Sequence, residues 1–333
     1  MKQLPRRTFL QLAGGAAALG TGTDPRIAGA QAYPSRAVTM VVTFAAGGGD
    51  DILARIVVPR LSEVLGQQVI IENVGGAGGM TGAARVAKAA ADGYQFVLGG
   101  TGPFAANQTL YKNPLYNAAT DFAPVVLMAE QPIALIARKD FPASNLPEFI
   151  AFAKANQAKM QFGSPGAGST SHLACALLNA AIGMNVAHIP YRGGALAFQD
   201  LLAGRIDYVC PYSSTAMPYI ESRNAKAIAI LAEHRVPSLP DLPTAHEQGL
   251  AGVEANQWFA IFLPRGTPPT IIQKLHDAAV AAMDTPAVQA RLNELGTTVV
   301  PPERRSPEYL QSFVESEIEK WAAPIKASGV SVD

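Results

Sequence analysis

Strand-like and helix-like runs alternate along almost the whole chain, and that order limits the fold more than any single motif. Residues 38–44 are an apolar, β-branched run, followed by Ile52, Ile56, Leu61 and Leu65 at helical spacing and by a Gly66 stop. A strand at 69–72, a glycine-rich loop, a helix at 81–91, the Asp92-Gly93 turn and a strand at 94–99 come next. This βαβαβ order predicts a parallel sheet with helices on its faces. Pro59 lies inside the first helix and predicts a kink or break, because proline has no N–H and crowds the preceding turn.

The alternation then starts again. Strands at 125–128 and 133–137 lead out of the first unit, and a helix at 146–155, a strand at 160–164 and a helix at 172–182 begin a second. A strand at 186–190, a helix at 195–203 and strands at 206–210 and 227–231 continue it. A return strand at 258–263, helices at 270–283, 287–295 and 307–322, and a short strand at 298–300 finish the chain. We expect an α/β architecture of two lobes, residues 33–137 with 257–333 and residues 138–256, around a cleft crossed by two hinge segments.

The N-terminal residues predict a destination. Arg6-Arg7 precede an apolar stretch over 9–19, and Ala30-Gln31-Ala32 offers the small residues that a signal peptidase needs. The order reads as a twin-arginine export signal over residues 1–32, cleaved near Ala32 to leave a periplasmic protein. Its apolar stretch is shorter than the roughly 20 residues of a spanning helix. The signal carries four of the 26 basic residues and one of the 26 acidic ones, so the rest is slightly acidic. No basic block follows, which argues against a nucleic-acid partner. Five scattered histidines lack ligand spacing, so neither a metal nor a cofactor is expected. Cys175, on a helix, and Cys210, at a strand end, read as two buried thiols, with a disulfide as the alternative.

Four glycine- or hydroxyl-rich loops follow strands, at 46–51, 75–79, 99–102 and 163–171. In parallel α/β sheets the carboxyl ends of the strands share one edge, where ligands collect. Glycine lets backbone N–H groups come close to a ligand, and a helix N-terminus favours an anion. Any one loop can be a plain turn with a Ser or Thr cap, and Ser171 reads as such a cap. Loops from both lobes, each before a helix, point instead to a small anionic ligand.

Known catalytic patterns fail. No Gly-Lys-Ser/Thr completes a phosphate loop after Gly163, no nucleophile elbow surrounds Ser164 or Ser169, and the loop at Gly75 lacks the context of a dinucleotide fingerprint. Ser169 and His172 are one turn apart, a weak pattern for a hydrolase. Tyr191 can wall a cleft, Arg192 reads as a solvated charge, and Trp258 as core packing. Asp207 is expected to bond backbone N–H groups at a strand end.

Together these motifs resemble the Bug-type solute receptors of tripartite tricarboxylate transporters. The resemblance rests on the Gly48-Gly49-x-Asp51 core, Glu72-Asn73 followed by Gly78-Gly79, and Ala91-Asp92-Gly93-Tyr94. Gly163-Ser164-Pro165-Gly166-x-Gly168-Ser169-x-Ser171-His172-Leu173 and Pro190-Tyr191-x-Gly193 extend it. Leu239-Pro240-Asp241-x-Pro243-Thr244, Trp258-Phe259 and Gly266-Thr267-Pro268-Pro269 complete it. The resemblance implies a type II periplasmic-binding-protein fold, no catalysis, and capture of a small carboxylic acid or related amide for membrane permease subunits. It implies a monomer whose ligand is gripped by Phe44, Gly48, Gly49 and Asp51 on one side. Ser164, Gly168, Ser169, Thr170 and Tyr191 grip from the other, with Thr101 at the border.

Two departures bear on the ligand. Asp50 stands where the family generally has Thr or Ser, and Pro211-Tyr212 where many members carry an aspartate. Asp50 either faces the cleft, preferring a ligand with an N–H or O–H donor, or points to solvent or caps the first helix. A receptor feeding a sensor kinase and an envelope hydrolase using Ser169 and His172 stay open as other classes.

Overall fold

Residues Phe122–Pro132 and Ala134–Arg138 are consecutive strands separated by Ile133 alone, yet they pair in different sheets. The computed structural model describes residues 33–328 and 331–332, so the export signal expected over 1–32 lies outside the described residues. The chain runs β1 (Val38–Val42), α1 (Gly49–Leu65), β2 (Val69–Asn73), α2 (Met80–Ala87), β3 (Gln95–Gly100), α3 (Asn107–Leu110) and β4 (Phe122–Pro132). It continues through β5 (Ala134–Arg138), α4 (Leu146–Asn156), β6 (Gln161–Ser164), α5 (Thr170–Ala181), β7 (Ala187–Pro190) and α6 (Gly194–Leu202). Then come β8 (Tyr208–Val209), α7 (Ser213–Glu221) and β9 (Ala225–Ile230). The chain returns through β10 (Asn256–Pro264), α8 (Pro269–Met283), α9 (Pro286–Glu294), β11 (Thr298–Val299) and α10 (Pro307–Ser328).

The first sheet has the order β11-β4-β10-β3-β1-β2 and the second β7-β6-β8-β5-β9. β1 lies parallel to β2 and β3, and β6 parallel to β7 and β8. The turns that leave β1 and β6 therefore emerge at carboxyl edges, ahead of α1 and α5. β10 runs antiparallel to β3 and β4, which ties the returning chain into the middle of the first sheet.

Helix α1 buries Leu53, Ala54, Val57, Leu61 and Leu65, and Gly66 ends it at φ 69°, where its N–H donates to Glu63 O. The break expected at Pro59 does not occur. The ring sits on the exposed side of an unbroken helix, so the carbonyl it leaves unbonded one turn back faces water. The expectation of two free thiols also fails: Cys175 of α5 and Cys210 after β8 are buried and bridged, with Cα atoms 5.6 Å apart. Trp258 is core, as its sequence context suggests, and its indole N–H donates to Glu317 Oε2 at 3.1 Å. Asp207 Oδ2 accepts from the Gln161 N–H at 2.8 Å, holding the start of β6.

Candidate functional site

Turns from both sheets close on one small cavity. Phe44, Gly48, Gly49 and Asp50 supply the wall from the β1–α1 turn, and Ser164, Pro165 and Ser171 the wall from the β6–α5 turn. Pro211, Tyr212 and Thr215, after β8, form a third side. The cavity encloses ≈ 30 Å³, far below the roughly 300–1,000 Å³ of a small-molecule pocket, so the walls stand close together. A wider outer hollow of ≈ 680 Å³ shares Phe44, Ala45 and Pro165 with it and is bordered by Tyr191 and Arg192.

The β1–α1 turn is held by Asp51. Its Oδ2 accepts from the Gly47 N–H at 2.9 Å and from Arg55 Nε at 2.7 Å. Burial works to raise this carboxyl, but the guanidinium and the N–H groups outweigh it and hold it below the ordinary carboxylate range. Asp51 thus braces the turn. Asp50 differs from its neighbour: it is 1% exposed, and burial pushes it up to about 7, with the Tyr212 hydroxyl opposing and Asp51 adding to the rise. Of its sequence readings, the solvent-facing one is overturned; the carboxyl bonds its own backbone N–H in the first turn of α1, as the capping reading has it, and the residue also lines the cavity. Gly49 is needed for space: a Cβ there would collide with the Tyr212 ring and sit 2.9 Å from Gln131 Nε2.

The β6–α5 turn is knit by its own hydroxyls. Ser169 caps α5 by accepting from the His172 N–H at 3.2 Å, and its Oγ donates to Gly166 O at 2.7 Å. The cap assigned to Ser171 therefore belongs to Ser169, which leaves Ser171 on the cavity lining. His172 does not activate Ser169, because its Nδ1 accepts from the Gly168 N–H at 3.3 Å. Gly168, at φ 81°, abuts Asn107 and Tyr111 of the first sheet's side. Thr170 Oγ1 donates to Gln257 Oε1 at 2.6 Å. Thr101 Oγ1 donates to Asn256 O at 3.0 Å and accepts from the Trp258 N–H, pinning the end of β3 to β10. Tyr191 donates its hydroxyl to Asp200 Oδ2 at 2.7 Å; burial and that carboxylate push it up to about 12.

Sequence reasoning missed His188 and Thr215, and it marked Pro211-Tyr212 only as a departure from the family pattern, not as a wall of the cavity. His188 Nε2 lies 2.7 Å from Ser164 Oγ, and its ring packs on His172 with centroids 4.1 Å apart. Burial pushes His172 down to about 4 and His188 to about 3, the second helped by the first, so both are neutral at neutral pH. The signal for Tyr212 was present: Pro211-Tyr212 follow a strand of the same sheet, at the edge where ligands collect. Among the described residues no group of His, Cys, Asp or Glu is placed to hold a metal, and no helix is long and apolar enough to cross a membrane.

Two α/β sheets, joined where the chain crosses between them twice and closing glycine- and hydroxyl-rich turns over one cavity, define a periplasmic-binding-protein fold and a solute receptor. Residues 53–330 match the tripartite tricarboxylate transporter family receptor, and the chain belongs to that family. It is a binder and not an enzyme, so the hydrolase alternative falls. The chain is similar to the periplasmic binding protein BugD, with 40% identity, 90% of this chain and 99% of that one covered, and a TM-score of 0.86. MatC from Rhodopseudomonas palustris, solved with bound malate, is 39% identical over 88% of this chain and all (100%) of its own, at TM-score 0.85. Rpa4515 of R. palustris, solved with adipate, is 34% identical over 90% of this chain and 99% of its own, also at 0.85.

Proposed function

We propose that this chain is a periplasmic receptor that captures a small carboxylic acid or related amide and delivers it to the membrane permease subunits of a tripartite tricarboxylate-type transporter. One observation carries the reading: turns from both sheets, each opening a helix, close on a single cavity with no lysine, arginine or histidine among its described lining residues. Backbone N–H groups, the Ser164 and Ser171 hydroxyls and bridging water can hold a carboxylate without a buried cation. A site without a fixed counter-charge also releases its cargo readily, as a carrier must. Carboxylates in two relatives, malate and adipate, support the ligand class.

In this reading Phe44, Gly48, Gly49 and Ser164 touch the ligand. Asp51, Thr101, Gly168, Ser169 and Thr170 shape the turns that do so, and Tyr191 lines the way in. In this reading the two sheets are the two lobes, so the first runs over 33–133 with 257–333, and β5, expected at the end of the first lobe, goes with the second, in whose sheet it pairs. They hinge where β4 passes to β5 and where the chain returns to β10. The receptor works as a monomer, exported by the twin-arginine route with cleavage near Ala32.

Mass spectrometry of ligand released from native protein identifies the cargo. Calorimetry and solution scattering with that ligand should then show saturable binding, a higher melting temperature and a smaller radius of gyration. Saturation without compaction defeats the hinge, and chemical turnover of the ligand defeats the receptor reading itself.

A further inference from the structure

Asp50 is the only carboxylate on the inner cavity's described lining, and Tyr212 the only other ionisable group there. The Asp50 side chain is 1% exposed and its Oδ1 has no hydrogen-bond partner. The groups packed around it supply no positive charge. On its own helix Asp51 is a second carboxylate, and the nearby Arg55 is committed to Asp51 at 2.7 Å. From β4 comes the uncharged Gln131, whose Nε2 also lacks a partner, and from the far wall comes Tyr212, whose hydroxyl lies beside the carboxyl. A buried acceptor without a donor is costly. Here that acceptor borders the space a ligand enters.

We propose that Asp50 is a specificity determinant: among small carboxylic acids it selects those whose far end presents an N–H donor, an ammonium or an amide, over dicarboxylates. This inference rests on the receptor function proposed above. With the ligand's carboxylate at Ser164, Ser171 and the N-terminus of α5, its other end is directed across the cavity to the β1–α1 turn. An N–H group there completes the bonding of Asp50 Oδ1. A second ionised carboxylate instead sets like charges together in a cavity with almost no room for screening water. Burial pushes Asp50 to about 7, so the repulsion acts in the ionised part of the population, and the preference for the N–H ligand should strengthen as pH rises above 7. Tyr212 comes from the opposite wall, and its packing against Gly49 makes lobe closure the event that brings the selecting pair together.

The test is calorimetric titration of the wild-type chain, Asp50→Thr and the near-isosteric Asp50→Asn with diacids and their monoamides. Malonate, succinate, glutarate, adipate and phthalate are each compared with the matched monoamide, beside the ligand released from native protein. At about pH 8, above the raised Asp50 value, wild type should bind the monoamide about tenfold or more tighter than the diacid of the length that fits, a ratio set by one hydrogen bond to a charged group. Both variants should reduce that ratio by a similar factor while melting as folded proteins. A wild type that prefers the diacid, or a ratio unchanged in a folded variant, overturns the role of Asp50 and leaves the receptor reading standing. If neither the panel nor the co-purified ligand binds, the receptor reading fails, and this inference fails with it.

Discussion

Thr170 donates a 2.6 Å hydrogen bond to Gln257 Oε1, joining the first residue of α5 to the strand that carries the chain back into the first sheet. Gln257 cannot turn away freely, because its Nε2 donates to Trp258 O at 2.8 Å. Both partners are buried. The contact therefore links the two sheets directly behind the β6–α5 turn.

Thr170→Val keeps the side-chain shape and removes the donor, leaving the Gln257 oxygen unpaired. Ligand affinity should fall by about 1–3 kcal/mol, the cost of an unsatisfied buried acceptor. Calorimetry reads the loss, and scattering of the liganded variant should show a less compact particle. Wild-type affinity in the variant would remove this bond from the closing contacts.

Gly49→Ala tests fit across the cavity. The glycine has ordinary helical geometry, so only the added methyl matters, and it meets the Tyr212 ring. Overpacking of this kind costs about 1–3 kcal/mol. Because the clash lies between opposing walls, opening of the lobes relieves it. Affinity should drop while the melting temperature of the unliganded protein changes little. An equal loss in both would place the strain in the folded core instead.

Asp50 and the two histidines pull stability in opposite directions with pH. The folded pKa of Asp50 is raised from 3.8 to about 7. The folded chain thus keeps a proton that the unfolded chain sheds, and this contribution is complete below 3.8 and lost as pH rises toward 7. His172 and His188 are lowered from 6.5 to about 4 and about 3. Their contribution is complete above 6.5 and lost as pH falls through those values. Asp50→Asn removes the first term alone, so its melting temperature relative to wild type should climb between pH 5 and pH 8. A flat difference would mean that Asp50 does not carry its proton near neutrality.

The Cys175–Cys210 bridge closes a loop across a sequence separation of 35 that contains β7, α6 and β8. Reduction, or Cys175→Ala with Cys210→Ala, should cost about 2–4 kcal/mol, chiefly by freeing the unfolded chain. Denaturant unfolding with and without reductant measures it. No shift in the midpoint would show that the bridge adds nothing to a core already packed around both sulfurs.

The alternation of apolar runs and glycine-rich turns made the sheets, most helices and the two opposed turns that line the cavity readable from sequence. Helix α7 was not readable, because Ser213-Ser214-Thr215 and Pro218 disguise a short helix as a loop. The run of Phe122–Pro132 was seen only at its apolar centre, since Pro124 and Glu130 interrupt the pattern. Pro59 misled because the rule against proline in helices weakens where the freed carbonyl faces water. Within the site, residue types announced Gly48, Gly49 and Ser164. The approach of Tyr212 to Asp50, the Ser164–His188 pair and the disulfide each join distant segments. Pairings of that kind are set by how the helices lie on the sheets and leave no local trace in sequence.

The disulfide also settles a practical matter of reactivity. Both of the chain's two cysteines are consumed by it. A cysteine placed at Arg192, exposed on the rim of the outer hollow, is then the one thiol that a maleimide dye can find. If the lobes close on cargo as proposed, a fluorophore at that rim sees its surroundings change, which turns the receptor into an optical reporter of its own cargo.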